Sequence, residues 1–258
     1  MPVSRSFFFR AAILGTALFA ALALPLDARA DDGLSAAQKD DVRAVIEQLL
    51  KDKPELVIEA IQTFREREEK AERDKAQAAL ADLKDSLAND PLTPVGGNPK
   101  GDVTLVEFFD YRCGFCKKVQ PTLAAVIAED PNLRVVYKEF PILGPESAIA
   151  SQAASAAWLI NPKGYEKLHN SLMTYRGQLS EAAIKAAVKD AGYDTDQVEK
   201  AMKGPEVEQV LAANHALARS LAINGTPAFI IGERIIPGAV DAKTLKEAIA
   251  EVRSKTKG

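Results

Sequence analysis

Cys113-Gly114-Phe115-Cys116 is the one segment of this 258-residue sequence whose residue types and spacing suit covalent chemistry. Before it, Val103 to Phe109 reads as a short apolar strand. After it, Val119, Leu123 and Val126 form one apolar face at helical spacing, on a helix expected to run to about Glu129. The motif therefore lies at a strand-to-helix junction. Two intervening residues let both sulfurs meet in the first helical turn, with Cys113 at the helix N-terminus. Unpaired N–H groups and the helix dipole favour a thiolate there. Such a thiol titrates at about 3.5–7.5 in place of about 8.5. It attacks disulfides near neutral pH and is also a good leaving group. Cys116, one turn further in, is expected to be less exposed and to act as the resolving thiol.

Other uses of the pair fit less well. A c-type haem needs His directly after Cys116, where Lys117 stands. A zinc site would need both His169 and His215, because the chain has two Cys and two His. No metal is expected. An inert structural disulfide remains an alternative, although so small a loop stabilises little. A net charge of −3 argues against nucleic acid as the main partner. Hydrophobic residues at 47% and charged residues at 27% are ordinary globular composition.

The elements around the motif follow from patterning. Leu133 to Phe140 is a second strand, and a βαβ crossover of this length implies a parallel pair. Residues 145–221 read as helical throughout, with breaks at Asn161 to Gly164 and starts at Pro145, Ser180 and Pro205. His169 falls there and is expected at a cap or core edge, outside catalysis. Strands return at Ala228 to Ile231 and Ile235 to Ile236, and Asp241 caps a last helix. The expectation is an α/β domain over 102–258, its core (102–144 and 222–258) split by an all-helical insertion (145–221).

The N-terminal third differs. Residues 1–30 carry Arg5 and Arg10, an apolar run and Ala28-Arg29-Ala30, the pattern of a signal peptide cleaved after Ala30. An exported chain would reach a compartment where disulfides persist. Residues 31–90 read as a helical arm with apolar stripes at Val42 to Leu50, Val57 to Phe64 and Leu80, Leu83, Leu87. A stripe that narrow must meet the main domain or other copies of the chain. Self-association through 33–88 is favoured over a docked or exposed arm. Residues 91–101, rich in Pro and Gly, read as a linker.

Glu107 to Lys117 (EFFDYRCGFCK), Lys138 to Gly144 (KEFPILG) and Gly225 to Phe229 (GTPAF) resemble the DsbA-like thioredoxin-fold oxidoreductases, in order, over about residues 95–258. The arm, with Lys53-Pro54-Glu55-Leu56, is similar to the exported subgroup that includes the copper-sensitivity suppressor ScsC. The resemblance implies a thioredoxin fold whose redox centre is a Cys113–Cys116 disulfide, with no bound cofactor. It implies that Pro227 is the cis-proline facing the reactive cysteine, with the Thr226 backbone ready to pair with an extended client segment. It implies that Glu107, six residues before Cys113, is a buried acid relaying the Cys116 proton; the alternative is that Glu107 faces solvent or pairs with Lys138. Gly114 permits close approach of a client and Phe115 adds an apolar contact. Gly-Phe replaces the Pro-His of the strongly oxidising namesake, so one thiolate stabiliser is missing.

The activity so implied is disulfide exchange with exported client proteins in the periplasm. Members of the subgroup can trimerise and act as isomerases. The expectation is a homo-oligomeric, preferably trimeric, isomerase or reductase served by a membrane redox partner. The alternatives are a DsbA-type dithiol oxidase and a holdase chaperone.

Overall fold

The computed structural model describes residues 34–256. The expected signal peptide, 1–30, lies outside the described residues. In chain order the elements are α1 (Ala36–Asp52), α2 (Glu55–Ala88), β1 (Val95–Gly97), β2 (Val103–Phe109), α3 (Gly114–Glu129), β3 (Leu133–Glu139), α4 (Pro145–Ile160), α5 (Tyr165–Thr174), α6 (Glu181–Asp190), α7 (Thr195–Ala201), α8 (Pro205–Ser220), β4 (Ala228–Ile231), β5 (Arg234–Pro237) and α9 (Ala242–Thr256). The expected α/β domain with a helical insertion is present.

The sheet has the order β1-β3-β2-β4-β5. β2 and β3 run parallel, as the crossover length requires. The other pairs are antiparallel. Both central strands are almost wholly buried, as befits strands covered on two faces. Leu105, Phe109, Val135 and Tyr137 join the larger core with α3, α9 and the insertion helices. Val106, Phe108, Val136 and Ile230 join a second core with Leu217 and Ala218 of α8, Leu221 directly after it, and Leu80 and Leu87 of α2.

The chain divides after Ala60 into two compact units, the break falling within α2. Two sequence expectations change here. The linker of 91–101 carries β1, which pairs antiparallel with β3. Its glycines mark a tight entry into an edge strand. Gly97 has φ +63°, and a Cβ there would stand 2.5 Å from the Leu133 carbonyl oxygen. The arm is also not uniform over 31–90. Ala76, Leu80 and Leu87 are buried, and β3 caps the end of α2. Arg134 Nη2 donates to the Ala88 carbonyl at 2.7 Å, and Lys138 Nζ donates to the Ser86 carbonyl at 3.2 Å. Cations satisfy the orphan carbonyls of a helix C-terminus. Burial pulls the Lys138 ammonium down to about 8, against the Asp90 carboxylate 3.6 Å away.

By contrast, Val42, Val45, Ile46, Leu49 and Leu50 of α1 and Leu56, Val57, Ile58, Ile61 and Phe64 of α2 are all exposed. Leu80→Ala, in the docked half, should cost about 2–5 kcal/mol of stability in urea unfolding, the usual penalty for emptying a buried leucine site. An unchanged midpoint would mean that this half of α2 is not part of the core.

Candidate active site

Cys113 is the N-cap of α3, and its extended backbone turns the chain from β2 into the helix. The Cys113 N–H closes this turn on the Asp110 carbonyl at 3.0 Å. The Asp110 carboxylate, fully buried, accepts from the N–H groups of Arg112, Ile142 and Leu143 and from Ser147 Oγ, all within 3.0 Å. It thus ties the cysteine turn to the segment after β3. Arg112 adds hydrogen bonds to the Leu143 carbonyl and to Glu146. Lys117, directly after the motif, donates to the carbonyls of Leu172, Met173 and Tyr175 and so caps α5. Sequence reasoning assigned no role to Asp110 or Lys117. Their signal was a charged residue on each side of a buried turn.

Both cysteines are free thiols. Cys113 keeps 5% exposure and Cys116 none. Cys113 Sγ donates to the Thr226 carbonyl oxygen at 3.2 Å, and the Cys116 N–H points back at the same sulfur at 3.4 Å. The Thr226–Pro227 peptide is cis. Hydrogen bonding from the Cys116 side chain brings the Cys113 thiol down to about 5. Burial opposes this; the Thr226 side chain and the N–H groups of Cys116 and Phe115 support it. The Cys116 thiol first, then Thr226 and the N–H groups of the helix end, thus supply the stabilisation that no His at position 115 provides. The Cys116 thiol is pushed well up, first by its hydrogen bond to Cys113 and then by burial.

Glu107 lies on β2 opposite Tyr137, fully buried. Among the described residues neither of its carboxyl oxygens has a hydrogen-bond partner. Burial, with the Cys113 charge second, raises its carboxyl to about 8. Lys138 pairs with Phe108 in the ladder and so points to the other face, which excludes the alternative of a Glu107–Lys138 pair. Gly114 is exposed, and a Cβ there would meet nothing within 4 Å. Phe115 is 64% exposed, and Ile142, Leu143 and Tyr175 are exposed apolar side chains on the neighbouring loops. A groove of about 360 Å³ runs beside the Thr226–Pro227 loop, walled by Arg73, Ala76 and Gln77 of α2. All seven residues singled out in the sequence thus fall within one site or its rim. His169 differs from expectation. It is fully buried in an aromatic box of Phe109, Tyr111, Tyr137 and Tyr165, and desolvation pulls its imidazole down to about 3.

Residues 104–250 match the family model described as the DSBA-like thioredoxin domain. The chain belongs to the DsbA-like thioredoxin family. Its fold is the thioredoxin-like DsbA fold. A solved structure of Proteus mirabilis ScsC in a transitional conformation is 36% identical, covering 86% of this chain and 100% of that one with a TM-score of 0.64. A thioredoxin-like oxidoreductase from Silicibacter pomeroyi DSS-3 is 42% identical, covering 66% of this chain and 97% of that one, with a TM-score of 0.64. Among curated proteins, the Na(+)/H(+) antiporter NhaA 1 of Salinispora arenicola matches over 165 residues at 23% identity. That match covers 63% of this chain and 25% of the antiporter, so the chain spans about a quarter of that relative's length. Among the described residues, no helix is long and apolar enough to cross a membrane.

Proposed function

We propose that this protein is an exported, periplasmic disulfide isomerase or reductase that acts on misoxidised client proteins as a homo-oligomer. The observation that carries the reading is the acidic Cys113 thiol at the start of α3, beside the backbone of Thr226 and one turn from a buried, protonated Cys116. The Cys113–Cys116 pair is the redox centre and needs no bound cofactor.

The exchange runs in two displacements. Cys113 thiolate attacks one sulfur of a client disulfide, a new S–S bond forms, and the other client sulfur leaves as thiolate. The client segment pairs with the backbone at Thr226 and packs against Phe115, while Gly114 leaves its approach open. Two exits follow. A client thiolate can attack the client sulfur of the mixed disulfide and expel Cys113, leaving the client rearranged and the protein reduced. Alternatively Cys116 attacks Cys113, reducing the client and oxidising the protein, which a membrane redox partner then re-reduces. The acidity of Cys113 makes it the better leaving group and favours the first exit. Burial of Cys116, the cause of its raised thiol that persists once Cys113 is in the mixed disulfide, slows the second.

Glu107 serves that second exit. Once Cys113 is in a mixed disulfide its charge is gone, and with it one of the two causes holding the Glu107 carboxyl up. Glu107 then ionises more readily, at the step in which Cys116 must lose its proton.

Isomerisation gains from several sites around one client. The exposed apolar faces of α1 and the first part of α2 support assembly, since a water-facing apolar stripe is an incomplete one. A trimer is the favoured assembly. One observation favours the second reading, a dithiol oxidase: a stabilised thiolate also stabilises the reduced state, which makes the disulfide oxidising.

Truncation tests the assembly. The cut belongs before Ile61, because Ala76, Leu80 and Leu87 are part of the core. Light scattering should show an oligomer for the chain from Asp31 and a monomer for the chain from Ile61. The monomer should still reduce insulin but lose refolding of scrambled multi-disulfide protein. Equal particle stoichiometry for the two, or refolding that survives the cut alongside fast oxidation of reduced peptides, would replace the isomerase with the oxidase.

A further inference from the structure

Glu139 ends β3 on the same face of the sheet as Glu107 and is 1% exposed. Three hydroxyls converge on its carboxyl. Tyr111 Oη donates to Oε1 at 2.9 Å, Tyr165 Oη to the same oxygen at 3.2 Å, and Ser151 Oγ to Oε2 at 2.8 Å. Ser151 lies on α4 and Tyr165 on α5, both in the insertion. Tyr111 lies in the turn between β2 and α3, two residues before Cys113. The Glu139 backbone is held as well, for Asn214 Nδ2 of α8 donates to its carbonyl at 3.1 Å.

Tyr111 has little freedom. Its ring is wholly buried and sits edge-on to Phe109, with centroids 5.2 Å apart. Its hydroxyl also lies 3.2 Å from His169 Nδ1. A carboxyl buried this deeply is costly unless its lone pairs are met. Burial raises the Glu139 carboxyl to about 8, and the three hydroxyls work against that rise. Displacing Tyr111 would therefore leave an under-satisfied acid inside an aromatic box. Asp110, also buried, ties the cysteine turn to the Ile142–Leu143 segment and to Ser147 of α4. Tyr111 ties the same turn to Glu139.

We propose that Glu139 is a positioning residue for Cys113: through the Tyr111 hydroxyl its carboxyl fixes the turn from which the thiol faces Thr226. Only Arg112 separates the tyrosine from the cysteine, so a shift of one carries the other. The Cys116 N–H, 3.4 Å from the sulfur, is aimed at the thiolate by this same turn, so a shift of the turn weakens that hydrogen bond. Because α4 and α5 hold the same carboxyl, the insertion and the nucleophile share one anchor. The inference rests on Cys113 being the nucleophile.

A matched pair of variants of the full chain tests it. Tyr111→Phe and Tyr165→Phe each remove one hydroxyl from the same Glu139 oxygen, and each keeps a fully buried ring. Only Tyr111 belongs to the cysteine turn. The readouts are the pH profile of Cys113 alkylation by iodoacetamide and the midpoint of a glutathione redox titration. Tyr111→Phe should raise the midpoint of the alkylation profile by about half a pK unit, which slows alkylation about threefold at pH 4, below the parent midpoint, and should move the redox midpoint. Tyr165→Phe should leave both where they are while losing comparable stability in urea. Glu139→Gln keeps an acceptor for Tyr111 and should stay close to the parent, whereas Glu139→Leu should follow Tyr111→Phe. Equal shifts for the two tyrosine variants, or none for either, would overturn the positioning role. If Cys113 in the parent protein alkylates no faster than free cysteine at pH 6, the nucleophile assignment fails first and the positioning role falls with it.

Discussion

Cys113→Ser should abolish exchange, while Cys116→Ser should keep the attack and accumulate client as a mixed disulfide. The asymmetry follows from the two sulfurs. With its thiol near 5, Cys113 is almost entirely thiolate at neutral pH, and the serine hydroxyl that replaces it is not ionised. A free cysteine at about 8.5 would be only a few per cent ionised there. The loss in insulin reduction should reach the background rate. Cys116 is fully buried and takes no part in the first displacement, so its removal closes only the intramolecular exit. Client then leaves when its own second thiol attacks, which is the route that rearranges disulfides. Refolding of scrambled protein should thus survive Cys116→Ser in part, whereas insulin reduction should not. Non-reducing gels would show the trapped species, and mass spectrometry would place its bond at Cys113. Exchange that survives in Cys113→Ser would remove the proposed engine. Client holding that is undiminished in the Cys113→Ala, Cys116→Ala double variant, with no exchange measurable in the parent, would favour a holdase.

The chemistry was legible in the sequence because it is local. The apolar run before Cys113 and the stripe of Val119, Leu123 and Val126 after it locate the strand, the turn and the helix end without tertiary knowledge. Glu107 was marked by its offset of six residues from Cys113, which the family resemblance makes a buried acid. On the folded strand it shares a face with Leu105 and Phe109. Glu139, on the same face as Val135 and Tyr137, was not singled out in the sequence. What could not be read was its company. Tyr111, Ser151, Tyr165 and His169 are scattered over 58 positions and converge only because the insertion folds back on the strand ends. β1 was missed for a different reason. Three residues, Val-Gly-Gly, have no pattern of their own, and only pairing with β3 makes them a strand. α7 is likewise too short to show a period. In the arm, periodicity found every stripe but could not tell the docked half from the exposed half. That distinction depends on what the sheet offers: an apolar face at Val106 and Phe108 and two cations on β3 at the end of α2.

Burying two acids leaves a signature in stability that is separable from catalysis. Glu107 and Glu139 both have carboxyls raised from 4.5 to about 8, principally by burial. In the folded protein they hold protons that the unfolded chain releases above about 4.5, so each favours unfolding progressively between about 4.5 and about 8. Each contributes a slope of at most about 1.4 kcal/mol per pH unit. His169 acts in the opposite sense, because its imidazole is lowered from 6.5 to about 3. The unfolded chain protonates it below about 6.5, so it adds stability as pH rises from about 3 to about 6.5 and nothing above. Cys113 also adds stability with rising pH, from about 5 upward, since the folded thiol ionises first. Lys138, lowered from 10.5 to about 8, acts only above about 8. The clean window is therefore about 6.5 to about 8, in the Cys113→Ser, Cys116→Ser double variant, where both thiols are gone. Urea unfolding there should show stability falling by up to about 3 kcal/mol per pH unit at the acid end of the window, the two acids together; without the Cys113 charge Glu107 releases its proton first, and the slope then eases towards the share of Glu139. Adding Glu107→Gln should halve the slope and raise stability at pH 8, because an acid without hydrogen-bond partners is replaced by a neutral isostere. A flat or rising profile across the window would mean that neither carboxyl is held protonated by the fold, and Glu107 could not then serve as the delayed base for Cys116.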